Sequence, residues 1–473
     1  MGLSGFFQDF NPFQPGPGAA GTQRALWSTL AHYDTKMVLQ PELAEKWDFA
    51  ADGKSVTFKL RQGVKFHSGR EFTSDDVKAS AQFAVSVEGA AYLRVMFESI
   101  KQVETPDKYT AVLRFDSPNP AVYDIVDTLY IIDKETIENR GSRAVGTGPF
   151  TLAAFVPNDR VEMVPFKDYW EKGKPYVDKC VLRPVPDSAG RAITLEAGAV
   201  DCIFQPSFVD VPRLKAAGGK YVLDPGASGS IITNFGLNCK LDPFTNKKVR
   251  QAMAWSIDGA RFCRSILQGL VEPSHMIWSR SSWAYFKDLE GRLGYDLDKA
   301  RALLKDAGME RGFDTEILCA SANIYGHGAL AEMLQADLRQ IGVNAKVLDV
   351  ETVVREARQA KGDIVTIVHA YGRANRDPGT TLTAAKAWFT EAEKGWTHFE
   401  SPEYERLRQE CQSTIDREKR TAILRRIQEL VLDECFTIPI AESPQFWGNG
   451  SYVKDFSCTL DNAVYVGNVW LDK

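Results

Sequence analysis

The chain's 473 residues exceed the roughly 250–300 at which a single hydrophobic core stops growing, so at least two domains are expected. Its 44% hydrophobic and 25% charged residues match an ordinary globular protein and exclude wholesale disorder. The net charge of −5 leaves no basic surplus to hold a phosphate backbone, so no nucleic-acid partner is expected.

In chain order, the run Asn11 to Gly18 is rich in Pro and Gly and reads as a loop, followed by a short helix-like piece from Arg24 to Tyr33. Ser55 to Arg61 alternates strictly. Val56, Phe58 and Leu60 share one face, which predicts a half-buried strand behind a turn at Asp52-Gly53. Thr73 or Ser74 can cap a helix whose first turn carries Asp75 and Asp76, with Val77, Ala81, Ala84 and Val85 as its apolar stripe. Val112 to Phe115 reads as a further strand. Gly146-Thr147-Gly148-Pro149 breaks the pattern as a tight turn between domains, and a strand-rich region follows to about residue 185.

The second half reads differently. Helices are predicted over Asn246 to Ser256, Asp258 to Leu267 and Asp296 to Ala307, the last stopped by Gly308. Strands over Glu316 to Ala320, Ala345 to Val350 and Asp363 to Val368 alternate with helices over Gly328 to Gln340 and Val353 to Ala360. This is the pattern of βαβ units and a mainly parallel sheet. Pro402 to Glu434 is helical with a break at Asp416, and the last 30 or so residues return to strand and loop. Ligands of such sheets bind at the carboxyl ends of the strands. This singles out the loop His369 to Pro378, which is aromatic, basic and punctuated by Gly and Pro.

Catalytic signatures are missing: there is no nucleophile elbow, phosphate loop, zinc-binding helix motif or calcium loop. Gly146-Thr147-Gly148 leads into a strand and lacks the third glycine of a dinucleotide site. The six histidines are scattered, so no metal site and no cofactor are expected. His327 and His369 stand out because they fall in segments read as loops near the cleft. The eight cysteines form no CxxC pair. Their apolar contexts read as buried thiols, while their even number permits disulfides of undetermined connectivity. No apolar run approaches the ~20 residues that span a bilayer, and Met1 to Phe6 does not read as a secretion leader.

Pro41-Glu42-Leu43-Ala44-Glu45-Lys46-Trp47, then Asp52-Gly53, the run Val56 to Gly69, and Phe72-Thr73-Ser74-Asp75-Asp76-Val77 closely resemble, in order, the family 5 extracellular solute-binding proteins. These are receptors of oligopeptide, dipeptide and nickel ABC transporters. Gly146 to Phe150, Asn246 to Asp258, Tyr295 to Gly308 and Ile341-Gly342-Val343 extend the resemblance over nearly the whole chain.

The resemblance implies a mixed α/β, two-lobed periplasmic-binding-protein fold of the cluster C type with an extra inserted β-rich domain. Domain I would comprise residues 1–38, 146–234 and 447–473, the inserted domain II residues 39–145, and domain III, the α/β lobe, residues 235–446. It further implies a small-molecule ligand held between the lobes by hinge closure, membrane permease subunits as partners, no enzymatic activity and a monomer. The location would be the periplasm, or the outer side of the cell membrane on a lipid anchor, in which case the sequence is that of a chain already trimmed of its leader.

In peptide-binding relatives, the loop after the strand equivalent to Asp363–Val368 carries a tryptophan and an aspartate that pairs with the peptide ammonium. Here Tyr371 stands for the tryptophan and Ala374 for the aspartate, with Arg373 and Arg376 beside them. Losing an anion and gaining two cations reverses the expected charge preference. The expected ligand is therefore anionic or polyhydroxylated: an opine-like conjugate, a sugar phosphate or an acidic peptide. Expected contacts are Tyr371, Arg373, Asn375, Arg376, Asp377 and Trp388, with Asn234, Phe13, Trp278, Trp283, Tyr325 and His327 completing the set. The competing readings are a di- or oligopeptide receptor, a nickel-chelate or haem receptor, and a hydrolase on the same scaffold.

Overall fold

The computed structural model describes residues 1–5, 10–13, 19–86, 94–137, 144–224, 231–321, 325–458, 462 and 464–473. Residues 14–18 of the expected N-terminal loop thus lie outside the described residues. The chain divides into two compact units, one of Met1–Ala227 with Gln445–Lys473, the other of Ser228–Pro444. Among the described residues no helix is long and apolar enough to cross a membrane.

In the first unit, the alternating segment forms the expected strand Ser55–Leu60. Val56, Phe58 and Leu60 are buried. It lies inside a four-stranded antiparallel sheet ordered Ala44–Phe49, Ser55–Leu60, Thr110–Arg114, Gln102–Asp107. The helix Ser74–Val85 packs on this sheet. Its Asp76 reaches back to accept from the Thr73 N–H at 2.9 Å and is held by Arg70, which also pairs with Asp133.

The segment from Arg24 to Tyr33 is not a helix. The helix is Ala19–Leu26, and Ala31–Tyr33 is a strand paired with Leu39–Pro41. The polar Ser28-Thr29 pair ends the helix, and Thr29 turns its hydroxyl to Glu42. Gly146 and Gly148 approach the backbone of Ala25 and Leu26 so closely that a Cβ at either would collide with a carbonyl. The second sheet of this unit has seven strands, ordered Tyr221–Asp224, Trp447–Gly450, Cys202–Phe204, Gly2–Leu3, Cys180–Pro184, Arg160–Pro165, Phe150–Val156.

The second unit is built on a five-stranded sheet ordered Val343–Asp349, Phe313–Cys319, Thr366–Tyr371, Ile231–Leu237, Thr437–Ser443. The first three strands are mutually parallel, as the βαβ pattern predicted. The sheet is mixed, yet four of its five strands share one direction, in keeping with the expectation of a mainly parallel one. Ile231–Leu237 runs antiparallel to both of its neighbours. The chain enters this unit along Ile231–Leu237 and leaves along Thr437–Ser443, so the two strands run in opposite senses and pair directly. The exit strand is buried along its whole length. Gly236 makes room for Trp396, whose ring a Cβ would overlap.

The two helices between 402 and 434 are Pro402–Ser413 and Arg417–Glu434, with the expected break at Asp416, which caps the second. No disulfide joins the described cysteines. Cys180, Cys202, Cys263, Cys319, Cys411 and Cys435 are buried, and burial pushes their thiols up to about 11 or 12, where they are inert.

Candidate functional site

The strand expected over Asp363–Val368 lies three residues further on, at Thr366–Tyr371, so His369 and Tyr371 are strand residues. The run His-Ala-Tyr keeps enough apolar character to continue the ladder, pairing with Asn234, Thr233 and Ile232. Beyond it the chain turns through Arg373, at φ 70°, and Asp377 caps the helix Pro378–Ala384 by accepting from Gly379 N–H. A left-handed arginine costs about 1–2 kcal/mol, which the surrounding bonds must offset.

Those bonds come from three directions. Arg376 N–H donates to the Arg373 carbonyl at 3.1 Å, and Thr381 Oγ1 donates to the same carbonyl at 2.9 Å. Ser279 N–H donates to the Ala374 carbonyl at 3.0 Å, and Trp278 Nε1 to that of Pro378 at 3.2 Å. The Tyr371 hydroxyl donates to the Ile277 carbonyl at 2.6 Å. Asp377 takes a two-point ion pair from Arg420 of the helix Arg417–Glu434. Arg373, Ala374, Asn375 and Arg376 are all buried in the resulting loop. Two guanidinium groups are thus presented from a backbone with little freedom to rearrange.

Most of the sequence-selected residues gather here, with different parts to play. Tyr371 and Trp388 are buried and meet edge to face with ring centroids 5.1 Å apart. Trp278 is fully buried and ties the 274–285 segment to the loop. Trp283 lies under Arg417 at 3.5 Å, so its face is occupied by a helix arginine. Asn234 is buried opposite His369, its amide nitrogen bonded to the Ile232 carbonyl and its Oδ1 without a partner. The Asn375 Oδ1 is also buried without one. Phe13 belongs to the other unit, where it packs against Phe83, Phe97 and Tyr130.

His327 opens the helix His327–Arg339, one residue earlier than read, with the half-buried Tyr325 ring 5.9 Å away. It lies just past the carboxyl end of the strand Phe313–Cys319. Arg355, on the helix after Val343–Asp349, and His369, near the end of Thr366–Tyr371, complete a group drawn from the same edge of three adjacent parallel strands. Both His327 nitrogens, His369 Nε2 and Arg355 Nε are buried without partners. Burial first, and the Arg355 charge second, push both imidazoles down to about 3, so they stay neutral. Arg355 itself is lowered by burial. Unpartnered donors and acceptors on three converging elements suit a polar solute, and the group lies where α/β sheets hold their ligands.

Glu442 was not selected from the sequence. It lies beside Ile232 and Tyr371 in the sheet register, and accepts from the Arg280 N–H at 2.7 Å. Burial pushes its carboxyl up. Its position in an unbroken apolar run, Thr437-Ile438-Pro439-Ile440-Ala441, offered a signal: an acid closing a buried strand needs a partner. Arg355 offered none, since it reads as one more charge on a polar helix. Among the described residues, no group of three or more His, Cys, Asp and Glu side chains is placed to hold a metal ion.

Comparison with known proteins places this geometry. The model of the bacterial extracellular solute-binding proteins, family 5, matches residues 38–391. The dipeptide-binding protein of Escherichia coli is 28% identical over 478 residues, covering 93% of this chain and 88% of the relative. Heme-binding protein A of Haemophilus influenzae is 27% identical over 439 residues, covering 86% and 80%. The binding protein AgaA of A. tumefaciens R10, solved with agropinic acid, superposes with a TM-score of 0.86 at 25% identity over 100% of this chain and 98% of that one. With a family match spanning most of its length and a periplasmic-binding-protein fold, the chain belongs to the family 5 bacterial extracellular solute-binding proteins, the substrate-binding subunits of ABC transporters.

Proposed function

We propose that this receptor captures a small anionic, hydroxyl-rich solute of the opine class and passes it to its cognate permease. The observation that carries the reading is the pair Arg373 and Arg376. Both are buried on a braced loop at the carboxyl edge of the sheet, with Ala374 rather than an acid between them. A fixed guanidinium matches a carboxylate in two-point geometry and is less strongly hydrated than an ammonium. The group of His327, His369 and Arg355 adds neutral imidazoles and the unpartnered Nε of Arg355 on the same edge, a lining suited to hydroxyls. AgaA, similar along the whole chain, carries agropinic acid, a ligand of this chemistry.

The same reading assigns residues 39–145 to an inserted domain of a cluster C receptor, and the protein to the extracytoplasmic side of the membrane as a monomer without catalytic activity. Asp377 and Trp283 act as supports for the loop, while Arg373, Arg376, Asn375 and His327 contact the solute. Native mass spectrometry of freshly purified protein tests the assignment. A co-purifying acidic, oxygen-rich small molecule is expected, whereas an ordinary neutral peptide in that place contradicts it.

A further inference from the structure

The first unit contains a cavity of about 510 Å³ lined by none of the residues assigned above to the solute. Its volume is in the range of small-molecule sites. It is walled by the strand pair around Pro41 and Arg61, by the segment around Tyr169–Lys174, and by the C-terminal stretch near Tyr465.

The polar groups lining this cavity are unequally satisfied. Its acids are occupied. Glu42 accepts from Arg24, from Thr29 N–H and from the Thr29 hydroxyl. Asp34 accepts from the N–H groups of Lys36 and Val38 and from Gln40. Glu171 accepts from Tyr169 OH and Lys174. Among the donors, Arg24 and Lys174 are engaged by these acids, whereas those around Trp170 are less fully satisfied. Trp170 Nε1 is buried and has no acceptor. The Arg61 guanidinium stacks 4.5 Å over the Trp170 ring and spends its Nε on the Glu42 carbonyl. Its terminal nitrogens face only the exposed Glu45, at 3.6 Å. His32 turns its buried Nδ1 towards Glu42 Oε2 at 3.5 Å, and its ring lies 5.1 Å from that of Tyr465.

A cavity whose acids are neutralised and whose donors stand beside an aromatic wall selects an acceptor with a flat body. We infer that this cavity is a second binding site, for a small aromatic carboxylate, with Arg61 and the Trp170 indole N–H receiving the carboxylate and the adjoining rings of His32 and Tyr465 lining one side of the body. The indole N–H and guanidinium can form two adjacent bonds to one carboxylate, and leaving the buried indole N–H unmade is costly.

Fluorine NMR of the full chain with 4-fluorobenzoate tests this site, with 4-fluorobenzamide as the neutral isostere. Saturable broadening of the benzoate signal is expected, with the amide weaker by about tenfold. Arg61→Gln is expected to weaken benzoate by about tenfold, and Trp170→Phe, which keeps the ring and removes the N–H, by about fivefold. Trp170→Phe carries the test if the arginine variant does not fold. Absence of saturable binding by the wild-type chain up to about 10 mM, or equal affinity in the wild type and the folded variants, overturns the inference.

Discussion

Arg420 grips both carboxylate oxygens of Asp377 from a different helix, and the same carboxylate caps the helix Pro378–Ala384. Burial works to lower the Arg420 guanidinium, but the bonded carboxylate outweighs it and holds the group charged. The pair has little solvent access, with side chains 4% and 13% exposed. Removing either side chain therefore breaks a buried two-point charge pair, at about 3–5 kcal/mol. Gly379 has no Cβ because the Arg420 guanidinium passes there.

Asp377→Asn and Arg420→Leu are accordingly expected to lower the stability of the second unit by about 3 kcal/mol each, read by urea denaturation. The double variant is expected to be less damaged than the sum of the two, because the stranded charge is gone. Additive losses would show that the two side chains act independently.

Arg373→Gln and Arg376→Gln test charge recognition. Each is expected to weaken an acidic ligand by about tenfold or more. Placing an acid back in the loop, Ala374→Asp, is expected to weaken an acidic ligand and improve a dipeptide, read by calorimetric titration of both. Unchanged preference in that variant would remove the argument from Ala374.

The carboxyl of Glu42 is raised by burial but pulled down further by His32, Arg24 and Thr29, to about 2 from an ordinary 4.5. A folded pKa below the unfolded one contributes stability that is complete above pH 4.5 and lost as pH falls through 2. The contribution is on the order of 3 kcal/mol. Acid titration of the unfolding free energy is expected to show this loss, and Glu42→Gln to flatten it.

His327 and His369 are held neutral down to about 3, far below the unfolded value of 6.5. The unfolded chain therefore binds more protons between those limits, and the two rings contribute a fall in stability as pH drops from 6.5 towards 3. His369→Asn is expected to lessen the slope of stability against pH over that window, whatever its effect at pH 8. An unchanged slope would mean that the ring is protonated in the fold.

Gly236→Ala is expected to destabilise by about 1–3 kcal/mol, read as a lowered urea midpoint, because the new methyl meets the buried Trp396 ring.

Much of the architecture was legible in the chain. Strict alternation located Ser55–Leu60, and the helices that begin after Asn246, Asp296 and Asp416 were placed to within a residue or so at their starts. The mixed character of the second sheet was not legible, since strand direction at the entry and exit depends on pairing between residues about 200 apart, such as Ile231 and Ser443. The arginine loop was visible because it breaks a buried strand with charge. Its supports were not: Arg420 lies 43 residues from Asp377, on a helix where it looks like any other surface arginine. Trp283 was expected to contact the ligand, but helix arginines cover it.

Calorimetric titration of the purified receptor with agropinic acid, alongside a neutral dipeptide, tests the central claim most directly. The account predicts saturable one-to-one binding of agropinic acid in the micromolar range or tighter, weakened about tenfold or more by Arg373→Gln, with the dipeptide at least about a hundredfold weaker. Micromolar binding of the dipeptide, with no heat from agropinic acid, would contradict it.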